Sequence, residues 1–327
     1  MLDALRFTAS AVAKRDIVPE LTHYRLKDGR VSSFNGRIGL SAPIDLDLDI
    51  LPSAVPLIHA IRACPEAEGI ALNITPSGRL AVRSGPFKAF IQCLPDDGQH
   101  FAVEPQGESI DPGPHLMAGI RAIAPIMGID ASRPWCMGIR LNGPLMYATN
   151  NIVLVKYYHG SQIPLDVVIP SDAVSELLRI NESPERVQVT DNSISFHFSG
   201  ERWLHSQLLN RESWPHTSVE RALDRSLGEQ VKLPDRFAES LSVLKPFLNE
   251  RGSIYLDGTF LSTSQFEGEG ASIEVVMPQI TGLQAYHHHN LLLLCDVAHT
   301  IDWRSYPDPC VFQGPQMLGI IIGQKII

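Results

Sequence analysis

The sequence predicts an α+β fold assembled from one repeated half-unit, a short amphipathic helix followed by a group of strands. Three observations carry this. Turn dipeptides that favour hairpins, Asp28-Gly29, Asn35-Gly36, Asn142-Gly143 and Asn150-Asn151, sit inside stretches rich in strand-forming residues. Between those stretches lie segments whose apolar residues recur three and four apart, as one buried helix face requires. The helix-then-strands order recurs six times over 327 residues. Two stretches dense in turn formers and charges, 104–114 and 220–230, interrupt it and divide the chain into three pieces, 1–106, 107–226 and 227–327. Each piece is of ordinary domain size and holds two half-units.

Taken in order, residues 1–16 read as a first helix with charges among its apolar positions. Strands follow over 22–49, where IDLDLDI alternates strictly and places Asp45, Asp47 and Asp49 on the polar side of a half-buried strand. The next helix runs over 52–64, with Ser53 as its cap, Pro56 in its first turn and Leu57, Ile58 and Ile61 on one face. Strands return over 69–94, turning at Pro76-Ser77-Gly78 and Ser84-Gly85-Pro86. In the middle piece HLMAGIRAIAPIMG is a helix interrupted late by Pro125, and residues 135–159 give strands. PSDAVSELLRI is a helix capped by Ser171 with Val174, Leu177 and Leu178 inward, and 186–209 supplies strands turning at Asp191-Asn192 and Ser199-Gly200. The last piece has a helix through Phe237, Leu241 and Leu244, a hairpin set over 253–277, the helix NLLLLCDVAHTID and closing strands over 310–323.

The formal net charge of −9 sets the average surface against nucleic acid, because phosphate binding needs positive potential, yet it is compatible with a local basic lining. Five dispersed cysteines, Cys64, Cys93, Cys136, Cys295 and Cys310, form no CxxC pair and read as reduced, mostly buried thiols. The N-terminus lacks a signal-peptide core, and no apolar run reaches the length of a bilayer span. The expectation is a soluble cytoplasmic protein without membrane contact.

Enzyme signatures are weak. YHHHN (286–290) offers three successive histidines, which cannot all face one ion from a regular strand or helix. The Asp45, Asp47, Asp49 set is explained more simply by strand alternation than by cation binding. No P-loop, GxSxG, EF-hand or dinucleotide fingerprint is present, so no cofactor, metal or catalytic residue is expected. Trp135, Trp203, Trp214 and Trp303 read as core or domain-joint anchors. The alternative is a cytosolic metal-dependent enzyme on a repeated α+β scaffold, using His287, His288 and His289 with a carboxylate.

The middle piece carries a specific resemblance. Ala148-Thr149-Asn150-Asn151-Ile152-Val153-Leu154-Val155, then a helix led by Pro170, then Asn210-Arg211-Glu212-Ser213-Trp214-Pro215 stand in a characteristic order. Bacterial DNA polymerase III beta sliding clamps place ATDGHRLA, a proline-led helix and GRFPDY in the same order. GRLAVRSGPFKAFIQCLP (78–95) is similar to that family's strand pair with its terminal Leu-Pro. The chain resembles this family over nearly its whole length, through motif order and repetition rather than any one diagnostic motif, and its shortness suits a phage or divergent member. Asn150-Asn151 stands where the family has Asp-Gly, and Ile152-Val153 where it has His-Arg. The tail Gly323-Gln324-Lys325-Ile326-Ile327 replaces an MPMRL-like end.

The resemblance implies three tandem DNA-clamp domains per chain and a homodimer closing head to tail as a ring, with helices lining a hole for duplex DNA. It implies a processivity factor that tethers the replicative DNA polymerase topologically, with a clamp loader and other proteins bearing clamp-binding motifs as further partners. Arg6, Lys14, Arg15, Arg62, Arg121, Arg179, Arg236 and Lys245 would then line the hole and touch phosphates irrespective of sequence. Without the resemblance they read as ordinary solvated helix charges. The partner-peptide pocket, carried over position by position, would be lined by Thr149, Leu154, Ile320, Ile321 and Ile322, with Pro309 or Cys310 beside them. Ile320 to Ile322 alone read equally as a buried strand. Leu72, Ile74, Leu80 and Val82, and at the other end Ile273, Val275 and Val276, are the strand residues expected to meet edge to edge between chains.

Overall fold

The computed structural model describes residues 1–327 apart from 16, 66–67, 96–102 and 327. Seven α-helices occur among the described residues: α1 (Leu2–Thr8), α2 (Ala54–Ala63), α3 (Leu116–Ile123), α4 (Ser171–Ile180), α5 (His216–Leu223), α6 (Phe237–Leu244) and α7 (His288–Val297). Two kinds alternate. The helices α1, α3 and α6 are seven or eight residues long and each tightens into a 3-10 turn, Ala9–Ala11, Ala124–Ile126 and Lys245–Phe247. In the last two a proline, Pro125 or Pro246, lacks the N–H that a further α turn would use. By contrast α2, α4 and α7 are ten residues each, begin at 54, 171 and 288, and end without such a turn. The alternation is the repeated half-unit written in the backbone, and α5 stands outside it.

Several local expectations are corrected. The first helix stops at Thr8, so Lys14 and Arg15 lie in irregular chain beyond it. Residues 44–49 form no strand; Asp49 pairs with Lys27 at 3.3 Å and Ile50 bridges to Leu26. The last helix begins at His288 rather than Asn290, and in α4 Glu176 is buried where Leu178 is only half-buried. The stretch 220–230, read as a linker, begins inside α5.

Contacts divide the chain into two compact units, 1–114 with 172–208, and 115–171 with 209–327. The first centres on a seven-stranded antiparallel sheet running through Arg25–Lys27, Arg30–Phe34, Ile38–Pro43, Arg202–Gln207, Ser193–Phe198, Arg186–Val189 and Glu108–Ile110. At Asp28-Gly29 both φ angles are positive, 49° and 69°, the turn that two-residue hairpins need. One face of the sheet is apolar, with Leu40, Leu204, Phe196 and Val187 in register across four strands and buried. Helix α1 lies over this side, where the Tyr24 hydroxyl donates to the Leu5 carbonyl at 2.8 Å. A separate three-stranded sheet joins Ala71–Ile74, Leu80–Ser84 and Phe87–Ile91, and its central strand buries Leu80 and Val82. Those two residues are therefore not at an edge, whereas Leu72 and Ile74 are.

The second unit holds an eight-stranded sheet in the order Asp166–Pro170, Gly138–Asn142, Leu145–Thr149, Val153–Tyr158, Met317–Ile321, Cys310–Gly314, Thr300–Ile301 and Val231–Lys232. Helix α3 packs on the face carrying Met146 and Tyr157. Gly119 of α3 comes so close that an added Cβ would lie 2.6 Å from the Met146 sulfur, so a larger residue there would have to displace the Met146 side chain. A four-stranded sheet completes the unit, in the order Ser272–Glu274, Phe260–Ser262, Ser253–Leu256 and Gln284–His287. All five cysteines are free thiols, with Cys136 and Cys310 buried in this unit. No helix among the described residues is long and apolar enough to cross a membrane.

Candidate functional site

Strand pairing in the eight-stranded sheet sets Thr149, Leu154, Ile320 and Val311 in one row across four strands, on the face opposite α3. Alternation puts Tyr147 and Leu145 on the same face one and two rows along. The turn feeding the row is fixed locally: Asn151 adopts φ 71°, and Asn150 Oδ1 accepts from the Ile152 and Val153 N–H groups at 3.0 and 2.7 Å. Thr149 Oγ1 closes it by donating to the Val153 carbonyl at 2.8 Å.

This apolar row is covered by α5. Trp214, Val219 and Leu223 join Tyr147, Leu154, Val311 and Ile320 in one buried cluster, with Trp135, Leu145, Ala222 and Leu318 packed at its margin. Val219 and Leu223 are four apart and so face the sheet together. Polar ties fix the helix. Arg140, almost fully buried, forks onto Asp166 at 2.9 and 3.1 Å and donates to His216 Nδ1 at 3.2 Å. The Tyr147 hydroxyl donates to Glu220 at 3.0 Å, and burial, then the Glu220 charge, raise its pKa. The Trp214 ring lies 6.1 Å from Tyr147 and 5.8 Å from the Arg140 guanidinium, and its buried indole N–H has no partner among the described residues.

Of the five residues assigned to a pocket, the structure brings Thr149, Leu154 and Ile320 into one row. Ile322 follows two residues after Ile320, just past the strand end, and is half-buried. Ile321 pairs with Val153 and Cys310 on the opposite face, inside the core on the side where α7 packs, because successive strand residues alternate. Cys310 shares that inner face, and its Sγ lies 3.1 Å from the Tyr286 hydroxyl. Tyr147, Val311, Trp214, Val219 and Leu223 complete the cluster. Only the four-residue spacing of Val219 and Leu223, hidden among charges, signalled α5 in the sequence.

All eight basic residues assigned to DNA are exposed. Arg6, Arg62, Arg121 and Arg179 each occupy the last turn of α1 to α4, where the helix dipole favours a cation by roughly 0.3–1 kcal/mol. Arg236 precedes α6 and Lys245 follows it. Three are engaged in ion pairs: Arg6 with Asp3 at 3.6 Å, Arg236 with Glu239 at 3.2 Å, and Arg179 with the buried Glu176. Arg179 also donates to the Phe7 carbonyl at 2.9 Å, so its guanidinium is anchored within the unit. Among the described residues Lys14, Arg15, Arg62 and Lys245 form no ion pair.

The three histidines diverge. His287 Nδ1 accepts from the His289 N–H as the cap of α7, while buried His288 places Nε2 2.8 Å from the Leu241 carbonyl. Both contacts are structural ones that fix the start of α7, and no group of three metal-ligating side chains gathers among the described residues.

No protein-family model matches the chain, and no curated protein sequence does. Solved structures do match. A beta sliding clamp from Caulobacter crescentus superposes with a TM-score of 0.82 at 20% identity, covering 99% of this chain and 97% of that one. The DNA polymerase III subunit beta of Pseudomonas aeruginosa gives 0.82 at 18%, over 99% and 97%. The DNA polymerase sliding clamp of Bacillus subtilis gives 0.80 at 17%, over 100% and 97%. At these identities the likeness establishes the fold: the chain has the α+β sliding-clamp fold from end to end.

Proposed function

We propose that this chain is a DNA sliding clamp, a ring-forming processivity factor that encircles duplex DNA and tethers a replicative DNA polymerase. The observation that carries the reading is the likeness to solved clamps along 99% of the chain. In this reading the chain comprises three clamp domains, 1–106, 107–226 and 227–327, and a homodimer supplies six. A clamp works by topology, so it needs contacts with phosphates that are loose enough to slide. Exposed Lys14, Arg15, Arg62, Arg121 and Lys245 suit that role best, and Arg179, bound within its own unit, suits it least.

Ring closure needs complementary surfaces at the two ends of the chain. The first unit exposes Val55 at an apolar groove also lined by His59, Ala63, Phe87 and Ala89, and Phe90 on the other face of the edge strand Phe87–Ile91. The second exposes Val243 on α6, which packs on the edge strand Ser272–Glu274, Val276 just after that strand, and Phe247 just after α6. Association of one chain's first unit with the next chain's second unit would cover both patches and pair the free strand edges. Partner peptides, including those of a polymerase and a clamp loader, would use the margin of the Leu154–Ile320 row beside Ile322.

The test is assembly on nicked circular DNA followed by linearisation. The protein should remain on the circle and leave the cut molecule; retention on linear DNA would refute topological binding. Sedimentation should give twice the mass of one chain.

A further inference from the structure

The face of the seven-stranded sheet opposite α1 carries a groove of about 760 Å³ lined by polar side chains. Six strands each deliver one residue to a single row: Arg186, His197, Trp203, Ser41, Ser32 and Arg25 are successive cross-strand partners. Arg30, from the neighbouring row, leans over it, donating from Nε to Ser41 Oγ at 2.9 Å and from Nη2 to the Glu201 carbonyl at 2.7 Å.

One end of this row holds donors in excess. Arg186 Nη2 lies 3.3 Å from His197 Nδ1. A guanidinium only donates, so Nδ1 accepts and the ring proton sits on Nε2. That Nε2–H is buried, on a side chain only 8% exposed, and has no acceptor among the described residues. Burial first, then the charges of Arg186 and Arg30, push the His197 pKa down to about 4, so the ring is neutral near pH 7. Asp28, Glu104, Glu185 and Glu201 also line the groove. Even so, Arg30 and Arg186 form no ion pair among the described residues, and Glu201 offers Arg30 its backbone carbonyl. Two guanidinium groups, both within electrostatic reach of one histidine, thus have no bidentate carboxylate partner among the described residues, although the Glu201 charge acts on Arg30 from a distance.

We propose that this groove binds an oxyanion, carboxylate or phosphate, clamped by Arg30 and Arg186 beside His197. The anion supplies the bidentate acceptor that the row lacks, and the remainder of the groove accommodates the group carrying it. The four lining carboxylates oppose a bare polyanion and favour a ligand with one localised charge. This site does not depend on the clamp reading.

The test is a titration of the full chain, with the His197 ring observed by NMR, using inorganic phosphate in one arm and glutarate in the other at constant ionic strength. A saturable shift of the His197 ring resonance is expected, weakened roughly tenfold or more in Arg186→Gln and Arg30→Gln, as loss of a charged hydrogen bond dictates. Saturation by phosphate alone assigns a phosphate-bearing ligand, and by glutarate alone a carboxylate-bearing one. Arg186→Lys, which keeps the charge and loses the fork, should bind with intermediate affinity and serves where a glutamine variant fails to fold. A shift that stays linear in both arms, or one that saturates equally in the arginine variants, overturns the proposal.

Discussion

The seven-stranded and eight-stranded sheets each bury one face under a short helix, α1 or α3, and furnish the opposite face in contrary ways. In the eight-stranded sheet that face presents Thr149, Leu154, Ile320 and Val311, and α5 closes over it with Val219 and Leu223, together with Trp214 just before the helix. In the seven-stranded sheet it presents Arg186, His197, Trp203, Ser41, Ser32 and Arg25 around an open groove. Strand pairing alone creates such rows; the residues at alternate positions decide what becomes of them. An apolar row must be covered, by the chain itself or by a partner, because exposed hydrocarbon costs about 25 cal/mol per Å². A polar row tolerates water and stays available to ligands.

Substitutions separate the two faces. The largest effect is expected for Trp214→Ala, which removes the residue that anchors α5 and should destabilise the fold by about 3–5 kcal/mol in urea unfolding. If the loss is below about 1 kcal/mol, α5 does not act as a structural cover for the row. Ile320→Ala and Leu154→Ala should each cost about 2–4 kcal/mol, with half-buried Ile322→Ala well below them. That ordering tests whether Ile322 lies at the margin of the row. Asp166→Asn leaves the buried Arg140 guanidinium without its counter-charge and should cost about 2 kcal/mol. This is less than a fully buried pair because Asp166 is a third exposed.

On the polar face the contrast is in pH. His197 has a folded pKa below its unfolded value of 6.5, so the unfolded chain takes up the proton first as pH falls. The stability contributed by the neutral ring is complete above about pH 6.5 and is lost as pH falls toward about 4. His197→Gln should flatten the stability profile in that window, and an unchanged slope would remove His197 from the account. The smallest effect belongs to the exposed cations in the irregular chain beyond the first helix. Replacing Lys14 or Arg15 by serine should leave stability within about 0.5 kcal/mol and, if each meets a phosphate, lower the salt dependence of DNA binding by roughly 0.9 per contact.

Much of this arrangement was legible in the residues. Turn dipeptides such as Asp28-Gly29 and Asn150-Asn151 mark hairpins because few other residues accept positive φ, and both turns form where expected. The helical period located six of the seven helices. IDLDLDI misled because strict alternation also describes extended chain tied to its neighbours only at its ends, here Ile44 to Gly29 and Ile50 to Leu26, and only a continuous neighbouring strand turns the pattern into a ladder. Helix α5 escaped notice because two inward residues, Val219 and Leu223, are a weak signal amid His216, Glu220 and Arg221. The faces were harder still: Ile320 and Ile321 are identical side chains whose separate fates depend on register with Leu154 and Val153. The Arg30, Arg186 and His197 grouping was invisible, since its members are distant in sequence and meet only through pairing.

The second unit also keeps a chemical clock. Burial pushes the Cys310 thiol up to about 11 and raises that of Cys136, so neither offers much thiolate to an alkylating reagent while the eight-stranded sheet is intact. Their modification rates would therefore time the opening of that sheet, read directly by mass without any added label.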